Sequence, residues 1–166
     1  MTLEGQYEYY RCVQHDFNES YKIVNKYVAD LYLLPKKFID NTGPVLDRFI
    51  KNYSFGESTT GVSQFESVVD FIDQLDDFTG KTMELFNEHK SHNDRSKEYL
   101  KKVSELSEKN SGRIISEYAV DFIELTPELV KLNNDLKKIK DHADRMVTKL
   151  SNLEMRWENI RTEVRA

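Results

Sequence analysis

From Leu129 onward, alternate steps of three and four residues land on Leu129, Leu132, Leu136, Ile139, Ala143, Met146, Leu150, Leu153, Trp157, Ile160 and Val164. Every one of these positions is apolar. Few features constrain a fold more. An α-helix turns once in about 3.6 residues, so a sustained repeat of about seven keeps one narrow stripe in line only along a helix packed lengthwise on others. That is the pattern of a left-handed coiled coil. The stretch opens with Thr126, which can cap a helix, and Pro127, whose missing N–H costs nothing in a first turn.

The same spacing runs near the N-terminus through Tyr7, Tyr10, Gln14, Phe17, Tyr21, Val24, Val28 and Leu31, with Gln14 as its polar exception. Val13, Ile23 and Tyr27 lie beside it and are placed to widen the apolar face. Pro35 should close this helix, because the residue before a proline is pushed out of helical geometry. Thr42-Gly43-Pro44 then reads as a turn, with Pro44 starting a short helix that carries Val45, Leu46, Phe49, Ile50 and Tyr53. The polar run Ser54 to Ser63, with two glycines, reads as a loop in which Phe55 is an anchor onto the core.

A third seam starts at Phe65, Val68, Ile72 and Leu75. Gly80 weakens that helix by about 1 kcal/mol relative to alanine without breaking it. Asn87 to Glu98 then presents no apolar residue on any face, which fits either a helix that has left its partners or a loop. Leu100, Val103 and Leu106 restore the seam, and Ser111-Gly112 is the next break. Ile115, Tyr118, Phe122 and Leu125 stay in phase with the C-terminal arm. Pro127 is therefore either a kink in one long helix or a restart after a tight turn.

These patterns predict an all-α fold, an elongated antiparallel helical bundle of about three to four long helices with a C-terminal coiled-coil helix. Residues 1–125 form the bundle in this reading, with a helix over about 4–34, an irregular part or short helix over 36–62, a long helix over about 63–110 and a helix over 113–125. Residues 126–166 form the coiled-coil arm. Its last residues stop while the seam is still running, as expected of a piece of a longer chain.

Composition narrows function mostly by exclusion. The formal net charge is −5, against the basic surface that nonspecific nucleic-acid binding needs. Cys12 is the only cysteine, so neither an internal disulfide nor a multi-cysteine zinc site can form. The N-terminus lacks the basic residue and apolar run of a secretion signal, and no stretch approaches the roughly 18 apolar residues of a membrane span. A cytoplasmic location is expected. Residues 1–89 carry 8 Lys/Arg against 15 Asp/Glu, a net of −7, and residues 90–166 carry 16 against 14, a net of +2. Such asymmetry can set the polarity of an assembly.

No phosphate loop, nucleophile elbow or zincin motif is present. His89 and His92, with Glu88, have spacings that helical metal sites use, but the Glu-x-x-His pattern of a di-metal bundle is missing. They read as part of a solvated polar stretch. Glu66, Asp70, Asp73, Asp76 and Asp77 read as a solvated face or a dock for a basic partner. Tyr7, Tyr9 and Tyr10 read as core. No catalytic, metal or cofactor residue is assigned.

The expected function is that of a non-enzymatic interaction or scaffold module, a subunit of a larger cytoplasmic coiled-coil assembly of trafficking, organelle-positioning, tethering, cytoskeletal or kinetochore type. The tract Ile115 to Glu154, with Ser116-Glu117-Tyr118 and Arg145-Met146-Val147, is similar to coiled-coil subunits of lysosome-biogenesis complexes, a likeness of composition that places the chain in no family. Other helical chains are the expected partners. The mixed seam, with small Ala143 and large Trp157, favours an unlike chain over a copy of itself. Its partner-facing residues are expected to be Leu136, Ile139, Met146, Leu150, Leu153, Trp157, Ile160 and Val164. A membrane-surface helical dimer, using Arg95, Lys97, Lys101 and Lys102, is the first alternative. A helical metal carrier or enzyme is the second.

Overall fold

The structure, a computed structural model, describes residues 2–54 and 62–165, and among these it is helical with no strand. The elements are α1 (Leu3–Leu31), α2 (Leu33–Ser54), α3 (Val62–Lys109), α4 (Ile115–Ile123) and α5 (Thr126–Arg165). Phe55 and most of the expected loop lie outside the described residues.

The seam of α1 holds in large part. Tyr10, Phe17, Val24, Val28 and Leu31 are buried, with Val13 beside them. Tyr7, Gln14 and Tyr21 are half-buried, whereas Ile23 points outward. Helix α1 ends at Leu31, ahead of the proline expected to stop it. Pro35 then falls in the first turn of α2, where its ring is tolerated.

No turn interrupts residues 42–44. Helix α2 runs through Gly43 and Pro44 as one element, correcting the expected break and short helix. A proline inside a helix removes the bond from its own nitrogen to the carbonyl four residues back, here Asp40, and crowds that turn. Both Pro44 and Asp40 are exposed, so the freed carbonyl faces water. Leu46 and Phe49, on the buried side, hold the helix in place, and the Thr42 hydroxyl donates to Phe38 O at 2.9 Å.

Helix α3 spans 48 residues, about 70 Å at 1.5 Å per residue. It does not break over 87–98. Its buried positions are Val68, Phe71, Leu75, Phe78, Thr82, Leu85, His92, Ser96 and Tyr99, with His89 half-buried between Leu85 and His92. The three-and-four spacing is thus unbroken, but the polar residues Thr82, His89, His92 and Ser96 occupy four of its positions. The helix stops at Lys109. Beyond it Gly112 adopts φ +80°, a left-handed conformation that glycine enters without strain. Asn110 secures the end, donating from Nδ2 to Leu106 O at 2.8 Å and accepting at Oδ1 from Arg113 at 2.7 Å.

Pro127 marks a restart. Helix α4 closes with Glu124 N–H on Val120 O and Leu125 N–H on Phe122 O, and α5 begins with Leu129 N–H on Leu125 O. Thr126 is not the cap. It lies inside the first turn, and its Oγ1 is buried without a hydrogen-bond partner.

The chain divides into two compact units, Met1–Val28 with Asn87–Asp141, and Ala29–Phe86 with His142–Ala166. The expected boundary at 125/126 is not where the division falls, because α5 contributes to both units.

Candidate interaction surfaces

In the first unit, α3 and α5 pair with opposite directions. Lys102 reaches Glu128 at 3.1 Å, and Arg95, earlier on α3, reaches Asp135, later on α5, at 2.8 Å. Polar groups fill the interior between them. His92 is fully buried, and its Nε2 lies 2.9 Å from Leu132 O. A carbonyl can only accept, so Nε2 carries the proton and Nδ1 accepts from the Ser96 hydroxyl at 3.3 Å. Burial pushes the His92 pKa below its ordinary value. His89 is shifted the same way, first by burial, and its Nε2 lies 2.7 Å from Asn25 Oδ1.

A second polar layer involves α1. The Tyr99 hydroxyl donates to Gln14 Oε1 at 2.6 Å, and the Tyr10 hydroxyl to the same oxygen at 3.3 Å. Burial raises the pKa of both phenols, and their contact at 3.4 Å raises that of Tyr99 further. Gln14, the polar exception in the α1 seam, is the acceptor that lets two tyrosines enter a core. The Phe17 ring meets Tyr99 edge-on at 5.9 Å, and the Tyr10 ring lies 5.8 Å from Phe122.

This corrects the reading of residues 87–98 as a solvated stretch. His92 and Ser96 form part of the interior, and the bonds of His89 and His92 go to protein groups. Among the described residues no group of His, Cys, Asp and Glu is placed to hold a metal ion. Of the three early tyrosines, Tyr10 is core, Tyr7 is half-buried and Tyr9 is 50% exposed.

In the second unit the acidic stripe is partly paired within the chain. Arg156 meets Asp70 at 2.7 Å, and Lys149 meets Asp77 at 3.7 Å. A hydrogen bond from Lys81 holds the Asp77 carboxyl below the usual carboxylate range. Glu66, Asp73 and Asp76 are exposed. The Trp157 indole stacks on Phe71 at 5.8 Å and 23°.

The residues expected to face a partner lie inside. Leu136, Ile139, Met146, Leu150, Leu153, Trp157 and Ile160 are between 0 and 8% exposed, covered by the chain's own helices. Another chain would meet them only if this packing opened. The side chain of Val164 lies outside the described residues. Periodicity marks a face that must be buried, but it does not say which chain buries it.

The apolar surface left open lies elsewhere. In the first unit Tyr9, Ile123, Pro127 and Val130, with Gln6 and Thr126, line an open groove of about 530 Å³. Ile114, Ile115 and Val120 are 50–64% exposed. In the second unit, Tyr32, Leu33 and Leu34 are 58, 66 and 49% exposed. Except for Ile115, whose spacing placed it on the seam of α4 but which is half exposed at the helix start, these residues lie off the seams, where no repeat draws attention to them.

No family model, curated protein or solved structure matches the chain. No helix among the described residues is long and apolar enough to cross a membrane.

Proposed function

We propose that this chain is a non-enzymatic helical interaction module, a subunit of a larger cytoplasmic assembly of tethering, trafficking or cytoskeletal type. In this reading its long helices form an elongated antiparallel bundle with coiled-coil packing along α5. The observation that carries the proposal is the open apolar groove of the first unit, with exposed Ile115 and Val120 on neighbouring α4. Exposed apolar surface gathered in one region marks a contact site more often than chance. A groove lined by Tyr9, Ile123, Pro127 and Val130 suits the apolar stripe of an amphipathic helix from an unlike chain.

The test is photo-crosslinking in cells from a reactive amino acid at Tyr9 or Val120, compared with the same group at exposed Glu19. A discrete adduct from the first two positions and none from Glu19 is expected. Equal labelling from all positions, or none from any, removes the reading.

A further inference from the structure

We propose that the corner between α1 and α2 is a lipid-contact tip that takes the surface of an anionic bilayer. Helix α1 ends at Leu31 and α2 starts at Leu33, so Tyr32, Leu33 and Leu34 are consecutive at a bend. All are about half exposed or more, at 58, 66 and 49%. Successive helical residues point about 100° apart. Leu33 and Leu34 in α2 therefore splay apart, and with Tyr32 in the bend before them they form a knob that does not line up as a stripe. A partner helix or a helix-binding groove reads residues three and four apart, which this knob does not offer. A fluid surface has no such requirement, since it closes around a knob from every side. Leucines then enter the acyl boundary, and a tyrosine sits at the headgroups.

The charges beside the knob specify the kind of surface. Lys36 and Lys37 follow it directly. Both are exposed, and neither makes an ion pair or hydrogen bond among the described residues. The flanking acids, Asp30 and Asp40, are exposed and leave both lysines unneutralised by any ion pair. Apolar residues followed at once by unpaired lysines are complementary to a bilayer with anionic headgroups, where each lysine adds to the attraction. The knob is also held at its base. Leu31 and Pro35 are buried, and the Tyr32 ring lies 5.0 Å from that of Phe86. With a chain net charge of −5, general adsorption to an anionic surface is disfavoured, so binding must come from this corner. The inference does not depend on the groove in the first unit.

The experiment is co-sedimentation of the full chain at low salt with phosphatidylcholine vesicles, alone or with about 30% phosphatidylserine. Binding to the phosphatidylserine vesicles and not to phosphatidylcholine alone is expected. Leu33→Ser with Leu34→Ser should abolish it, and Lys36→Gln with Lys37→Gln should weaken it about thirtyfold. Circular dichroism should match the parent for both variants, since the replaced side chains are exposed. Lys97→Gln with Lys101→Gln, the control, should bind as the parent does. Absence of binding to the phosphatidylserine vesicles overturns the proposal, as does binding that both tip variants retain. If vesicles do not bind and the leucine variant instead changes the mass seen by light scattering, the corner is a protein contact and the lipid reading is wrong.

Discussion

The Nε2 of His92 lies 2.9 Å from the carbonyl oxygen of Leu132, so the fully buried imidazole of α3, which burial keeps neutral, donates from Nε2 to α5. A second proton would have to go on Nδ1, which already accepts from Ser96, and would place a charge in the interior.

The folded-state pKa of His92 is lowered, so the stability that its neutral form contributes is complete above the ordinary imidazole value of about 6.5. Below that value the unfolded chain takes up a proton that the folded chain resists, and stability falls with pH until the lowered folded pKa is passed. Burial causes the lowering and Arg95 reinforces it, while the hydrogen bond to Leu132 O and then Asp135 and Glu88 oppose it. Urea midpoints should decline from about pH 6.5 toward pH 5, and more gently in His92→Gln, which keeps a donor for Leu132. Parallel pH profiles for parent and variant would show that other groups control the acid limb.

Tyr99→Phe removes the hydroxyl that donates to Gln14 at 2.6 Å. The loss should be about 1–2 kcal/mol in urea unfolding, with the m-value unchanged. Gln14→Leu should cost more, because it removes the acceptor shared by two buried phenols (Tyr10 and Tyr99) and leaves them only their 3.4 Å contact with each other. A neutral Gln14→Leu would mean that both hydroxyls find water.

Trp157, stacked on Phe71 and 8% exposed, should emit at short wavelength and resist quenching by iodide in the free chain. Trp157→Ala should cost about 3–5 kcal/mol. Emission typical of a water-exposed indole, shifting only when a partner is added, would return this residue to the partner-facing role.

A chain ending at Thr126 loses Leu129, Leu132, Leu136 and Ile139 from one unit and Met146, Leu150, Leu153 and Trp157 from the other, all buried. Far-ultraviolet circular dichroism should show most helicity gone and no cooperative thermal transition. A truncated chain that melted as sharply as the full one would make α5 a dispensable arm.

Gly80 is exposed within α3, and a Cβ there would meet nothing within 4 Å. Gly80→Ala should therefore stabilise the chain by about 1 kcal/mol, read as a higher melting temperature. No gain would mean that the glycine matters to something other than helix propensity.

Much of the fold was legible because helices announce their buried faces by spacing. The seams of α1 and α5, the break at Gly112 and the continuation past Gly80 follow from local pattern. The misreadings share one cause. Pro44 and Gly43 weaken a helix by local chemistry, yet the burial of Leu46 and Phe49 outweighs that penalty. The seam of α3 is hidden between Thr82 and Ser96 because Thr82, His92 and Ser96 are polar, and a hydrophobic pattern cannot anticipate that Leu132 O on α5 satisfies His92, that His92 Nδ1 satisfies Ser96, or that Phe78 O one turn back satisfies Thr82.

By itself the order of residues determined that this chain is helical, where most helices begin and end, and which faces must leave water. Those properties depend on neighbours a few positions away. Which partner covers each face was settled by residues far apart in the chain: Leu132 for His92, Gln14 for Tyr99, Phe71 for Trp157. An apolar seam is equally satisfied by its own chain or another, since burial has no direction. Only the packing of the whole chain shows that α5 is enclosed and that Tyr9, Ile115, Val120 and the Tyr32–Leu34 corner remain at the surface.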